Sequence, residues 1–101
     1  MRARMNKIER RDQIMGHAIR LARKVGYMNV RRDELARNAG VANGLVSNHW
    51  NTMVQLKKAI IREAIRIEDA VIVGQGLALR DRHAMKAPQH LKEKAIAQIG
   101  V

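Results

Sequence analysis

The sequence predicts an all-α fold, and three observations carry that prediction. Apolar residues recur at helical spacing through most of the 101 residues. Asn6 with Glu9 and Thr52 with Gln55 have the spacing of capping boxes, the reciprocal side-chain bonds that open helices. Glycines fall at 16, 26, 40, 44, 74, 76 and 100, and most of them mark joints between helical patterns. No strand is expected. The architecture that follows is a three-helix helix-turn-helix region, a long fourth helix and short C-terminal helices.

The first helix is expected over about Lys7–Val25, with Ile8, Met15, Ala18, Ala22 and Val25 facing inward and arginines on the other side. Gly26 is its stop. A short second helix over about 32–38 places Leu35, Ala36 and Ala39 inward, and Gly40 turns the chain so that Val41 points back to the core. A third helix is expected over 43–50. The Thr52 box opens a long fourth helix with two apolar stripes. One is Leu56, Ile60, Ala64, Ile67 and Val71; the other is Ile61, Ile65 and Ile72. So wide an apolar face exceeds the needs of one small domain: either the C-terminal segment covers it or it meets another chain, with Ile61, Ile65 and Ile72 as dimer-interface candidates. The GQG run at 74–76 should interrupt this helix. A fifth helix over about 77–85 and a sixth behind Pro88, lined by Leu91, Ala95 and Ile99, complete the chain. Residues 1–52 are read as the helix-turn-helix region and 53–101 as a C-terminal dimerisation region, packed as one compact domain.

Composition narrows the function. The formal net charge is +11, from 20 Lys+Arg against 9 Asp+Glu. Residues 1–37 hold 11 Lys+Arg and 4 Asp+Glu; residues 38–101 hold 9 and 5. Such an excess implies a polyanionic partner. With 47% apolar residues the chain is not a disordered one. The absence of cysteine excludes disulfides and thiolate metal sites. No apolar run approaches the ~18 residues of a membrane span, and the charged start lacks the apolar stretch of a secretory signal. A cytoplasmic location and no membrane partner are the expectation.

Enzymatic readings are weak. His17, His49, His83 and His90 lack the spacing of a zinc site, and none belongs to an HExxH pattern. Asp69 and Asp81 have no obvious partner, and no glycine-rich phosphate loop occurs. No catalysis, metal or cofactor is expected.

Residues 38–56 carry no charged side chain, although the chain around them is strongly basic. The segment RRDELARNAGVANGLVSNHW, which overlaps them, reads as helix, sharp glycine turn, helix. In that plan the second helix enters the DNA major groove while the first steadies it. An uncharged reading helix makes physical sense. Asn pairs bidentately with adenine, Ser bonds either way, Leu meets the thymine methyl, and Gly lets backbone approach DNA. Charge belongs on the rim, where it neutralises phosphates. The candidate DNA-contacting residues are therefore Asn43, Gly44, Leu45, Ser47, Asn48 and His49 on the third helix, with Arg31, Arg32 and Lys57 around it. Packing competes with DNA contact for His49, and Trp50 is read as core. Arg2, Arg4, Arg10 and Arg11 are read either as a basic tail that follows the DNA minor groove or backbone, or as solvated surface charge.

From Arg11 to about Ile61 the chain resembles the DNA-binding domain of the tetracycline-repressor (TetR) family. The pieces KVGYMNV, RRDELARNAGV, ANGLVSNHW and NTMVQLKKAI follow that family's order and spacing. Some positions depart from its pattern. Arg31 and Arg32 stand near a common Thr. Ala42 replaces the usual Ser, which leaves Asn43 to cap the third helix. Ser47 and His49 replace two tyrosines, and Met53 a lysine. Family members carry a helical ligand-binding and dimerisation domain beyond this point, whereas about 40 residues follow here, too few for a drug-sized pocket. The resemblance implies a sequence-specific transcriptional regulator, a repressor acting as a homodimer on a near-palindromic operator of double-stranded DNA, without a small-molecule effector. The competing readings are a low-specificity architectural DNA binder and a helical inhibitor or interaction protein that binds an acidic partner.

Overall fold

The computed structural model describes residues 5–99, the side chain of Ile99 excepted. The expectations for Arg2, Arg4 and the Ile99 side chain lie outside the described residues. Among these residues there are helices and no strands. The order is α1 (Lys7–Val25), a 3-10 turn (Tyr27–Asn29), α2 (Arg32–Ala39), α3 (Asn43–His49), α4 (Met53–Arg66), α5 (Ala70–Ala78), α6 (Arg82–Met85) and α7 (Gln89–Ile99). Helix α1 packs on α2 and α4, α2 on α3, and α4 on α5, while α5 is covered by α6 and α7. One cluster of buried side chains runs from Ile14 of α1 to Ala95 of α7, so both halves of the chain share a core.

Local chemistry explains the helix ends of the first half. Asn6 Oδ1 accepts from the Glu9 amide at 2.8 Å, and Glu9 Oε1 accepts from the Asn6 amide at 3.1 Å. The Thr52 and Gln55 box opens α4 in the same way. Gly40, at φ 70, closes α2 in a left-handed conformation that favours glycine. The Val41 amide reaches back to the Ala36 carbonyl at 2.9 Å and the Gly40 amide to that of Arg37 at 3.2 Å, which satisfies carbonyls the helix leaves unpaired. Helix α1 buries Ile14, Met15, Ala18, Ile19, Leu21 and Ala22. Ile8, expected inward, is 72% exposed, because the first turn of α1 extends past the core.

The second half corrects several expectations. Helix α4 stops at Arg66 rather than continuing to the GQG run. Glu68 turns the chain at φ 57, and the Asp69 amide bonds the Ala64 carbonyl at 2.7 Å. Asp69 then caps a new helix, accepting from the Val71 and Ile72 amides at 3.1 and 3.2 Å, and pairs with Arg23 of α1 at 2.8 Å. The GQG run lies inside α5 and does not interrupt it. Its second glycine serves packing: a Cβ on Gly76 would stand 2.7 Å from Ala84 Cβ and 3.0 Å from Ile61 Cδ1. The helix expected over 77–85 is instead the single turn α6, capped by Asp81. Pro88 sits one residue ahead of α7, and its carbonyl accepts from the Leu91 and Lys92 amides. Leu91 and Ala95 are buried.

The expected dimer stripe is largely internal. Ile61 and Ile72 are fully buried within the single chain and Ile65 is half-buried against the core. The bend at 67–69 folds α5 back onto α4, so the wide apolar face is covered by the chain itself. Two of the three residues are therefore not available to a partner.

Candidate nucleic-acid interface

Helix α3 divides cleanly into two faces. Asn43, Gly44 and Asn48 are exposed and Ser47 is half-buried beside them; these positions follow one another at helical spacing on the outer side. Val46 is fully buried, and Leu45 packs partly into the core. His49 is half-buried and its ring lies 5.6 Å from that of Trp50. Thus Leu45 and His49, two of the six candidates on this helix, face inward at least in part, and the outward face is made of amides, a hydroxyl and a glycine. Nothing stands within 4 Å of a Cβ placed on Gly44, so packing within the chain does not require glycine there. Asn43 does not cap the helix: Ala42 holds the cap position with no side-chain bond. The Asn43 backbone carbonyl accepts from Ser47 Oγ at 3.3 Å, while the Asn43 side-chain amide has no hydrogen-bond partner among the described residues.

The rim residues come together. Arg31, Arg32, Asn43 and Lys57 line one shallow, open cleft, together with Asp33, Met28, Asn29, Val30 and Met53. The cleft joins the start of α2, the start of α3 and the first turns of α4. These helix beginnings carry partial positive charge that adds to the three cations, while the Asp33 carboxylate in the same cleft offsets one of them. Arg31 is exposed and lies 3.4 Å from Asp33. Arg32 is half-buried; one guanidinium nitrogen donates to the Asn51 carbonyl at 3.3 Å, and its Nε is buried without a partner. Arg32 thereby ties the start of α2 to the loop ahead of α4. The sequence reading missed Asn29 and Met53 as cleft residues, since neither carries charge and the cleft forms only when three helices meet.

A second basic group flanks the other end of α3. The Arg11 guanidinium lies 5.0 Å from the Trp50 ring centroid, in cation–π range. Partial burial, followed by the charges of Arg11, Lys7 and Arg10, holds the His49 imidazole below its usual pKa. A further cation is therefore disfavoured there, first by burial and then by the three neighbouring charges. Arg10 is held by Gln13 at 2.9 Å, and Gln13 in turn reaches the Ala39 carbonyl at 3.4 Å, which fixes α1 against the end of α2. Arg10 and Arg11 thus belong to α1 itself and sit beside the outward helix rather than in a tail.

The aspartates that had no evident partner hold the two halves of the chain together. Asp81 Oδ2 accepts from the Tyr27 hydroxyl at 2.7 Å, and Gln75 accepts from the Tyr27 amide and donates to the Ala22 carbonyl. Burial would raise the Asp81 pKa, but the bonds from Tyr27 and the Ala84 and His83 amides outweigh it and hold the group below the usual carboxylate range. Among the described residues no group of three or more His, Asp or Glu side chains is placed to hold a metal ion, and no helix is long and apolar enough to cross a membrane. Comparison with protein-family models, with curated proteins and with solved structures gives no match.

Proposed function

We propose that this chain is a sequence-specific DNA-binding regulator of the helix-turn-helix class, of the kind the tetracycline-repressor resemblance implies, and that it represses by occupying its operator as a homodimer. One observation carries the reading. The outward face of α3 bears Asn43, Gly44, Ser47 and Asn48 and no charge, while Arg31, Arg32 and Lys57 line a cleft at one end and Arg10 and Arg11 flank the other. That is the division of labour that base reading requires: neutral hydrogen-bonding groups for base edges and cations for phosphates. Asn48 and Asn43 are assigned to bases, and Arg31 and Lys57 to the backbone. Arg32 positions the cleft through Asn51. Leu45 and His49 shape the helix from behind.

Since Ile61 and Ile72 are internal, the dimer contact in this reading falls among the exposed apolar residues of the C-terminal region, which include Val54, Ile67, Leu79, Met85 and Ile96. The net charge of +11 also suits an architectural binder, which would gain little from a neutral outward helix.

The deciding experiment is selection from randomised duplex DNA at ~0.15 M salt. The expected result is a near-palindromic motif with half-sites about 34 Å apart. Enrichment without a motif would favour the architectural reading, and no retained DNA would end both.

A further inference from the structure

A long groove runs between α1 and α4, on residues the DNA reading does not use for base contact. Its rims are arginines: Arg11 and Arg20 from α1, Arg62 and Arg66 from α4. Two carboxylates, Asp12 and Glu63, share the groove, and Glu63 is already bound by Arg66 at 2.6 Å. Arg20 and Arg62 are exposed and make no ion pair among the described residues. The floor is apolar: half-buried Ala59, with Ile67 at one end still 44% exposed, over the nearly closed side chains of Met15 and Ile19.

Gly16 lies in this floor, in the middle of α1. A glycine there weakens a helix that has good formers around it. No contact among the described residues explains it: beyond the helix's own backbone, a Cβ at this position would meet only the tip of Arg20, at 3.8 Å. Contrast Gly76, where a Cβ would collide with Ala84. A glycine that its own fold does not need, set in an open groove, gives a partner backbone room to come close.

From these two observations we infer that the α1–α4 groove is a docking site for an acidic amphipathic helix of a partner protein. Its apolar side would rest on Gly16, Ala59 and Ile67. Its carboxylates would meet the arginine rims, where the planar guanidinium bonds carboxylate in a bidentate manner. From Arg11 to Arg20 is nine residues of helix, about 14 Å, long enough for two to three turns of a guest. A second copy of this chain is a poor occupant, because none of its described helices carries net negative charge. The inference does not rest on the DNA reading.

The test uses the full chain and a fluorescent designed helix of about 14 residues, leucine along one side and glutamate elsewhere. The control is polyglutamate of equal length. Binding is followed by anisotropy at ~0.15 M salt. The amphipathic helix should bind and polyglutamate should bind at least about tenfold more weakly. The double variant Arg20→Glu/Arg62→Glu should reduce the affinity by about tenfold or more. Gly16→Leu, which favours the helix and fills the floor, should do the same with an undiminished thermal melt. Affinity for duplex DNA, measured on the same variants, should change far less than affinity for the peptide. Equal binding of polyglutamate would overturn the proposal, as would variants that bind the designed helix like the parent. Variants that lose DNA affinity and keep the peptide would assign the groove to phosphate contact instead.

Discussion

Gly76→Ala isolates the packing that places the C-terminal helices. In an unobstructed helix interior, replacing Gly by Ala stabilises by about 0.5–1 kcal/mol. At Gly76 the new methyl would stand 2.7 Å from Ala84 Cβ and 3.0 Å from Ile61 Cδ1. The Ile61 tip can rotate, but Ala84 Cβ is fixed to the backbone of α6. Relief therefore requires α6 to move, and α6 carries the Asp81 cap and the Tyr27–Asp81 bond with it. Overpacking a tight core costs about 1–3 kcal/mol, and a rigid neighbour puts this site at the upper end. The net expectation is a loss of about 2 kcal/mol, which for a domain of this size lowers Tm by about 8–16 °C. Gly16→Ala is the matched control: with open space around it, it should raise stability by about 0.5–1 kcal/mol. Both are measured by circular dichroism at 222 nm during thermal and urea melts. If Gly76→Ala is as stable as the parent, α5 and α6 do not approach as described, and the packing account of the GQG run is wrong.

Asp69→Ala removes both the cap of α5 and the partner of Arg23; a loss of about 2–3 kcal/mol is expected in urea melts, with Asp69→Asn nearer 1 kcal/mol because it keeps a capping oxygen. Acidification from pH 7 to 5.5 should reduce stability through His17 and His49. Burial first, and then Arg20 for one and Arg11, Lys7 and Arg10 for the other, lowers both pKa values. The unfolded chain thus binds more protons near and below pH ~6.5, and stability rises with pH there. His49→Gln should flatten part of that slope in melts across pH. Asn48→Ala should cost about 1–3 kcal/mol on the selected DNA site and relax one base preference, read by competition binding. Arg31→Ala, a cleaner probe than Arg32 because it holds no loop, should weaken binding to all sequences and reduce the salt slope by about one unit.

Helix identity and the first three boundaries were legible because their signals are local. A capping box spans four residues, a glycine stop acts through its own φ, and periodicity places Leu35, Ala36 and Val46 inward without knowledge of any neighbour. The uncharged outer face of α3 was legible for the same reason. The signal at residue 8 misled, since an apolar residue at helical spacing is buried only if the core extends that far.

What the sequence alone determined, then, is the all-helical class, the capped starts of α1 and α4, the glycine turn between α2 and α3, and the composition of the outward helix. These depend on interactions within a few residues. Tertiary structure alone decided the bend at 67–69, the closing of Ile61 and Ile72 inside one chain, and the gathering of Arg31, Arg32, Asn43 and Lys57 into a single cleft. The bend has no glycine or proline to announce it: Glu68 is held at φ 57 by the bonds Asp69 makes to α5 and to Arg23, 46 residues away. Contacts of that separation leave no mark in a local pattern, and they are what set which apolar face is covered and which is left to a partner.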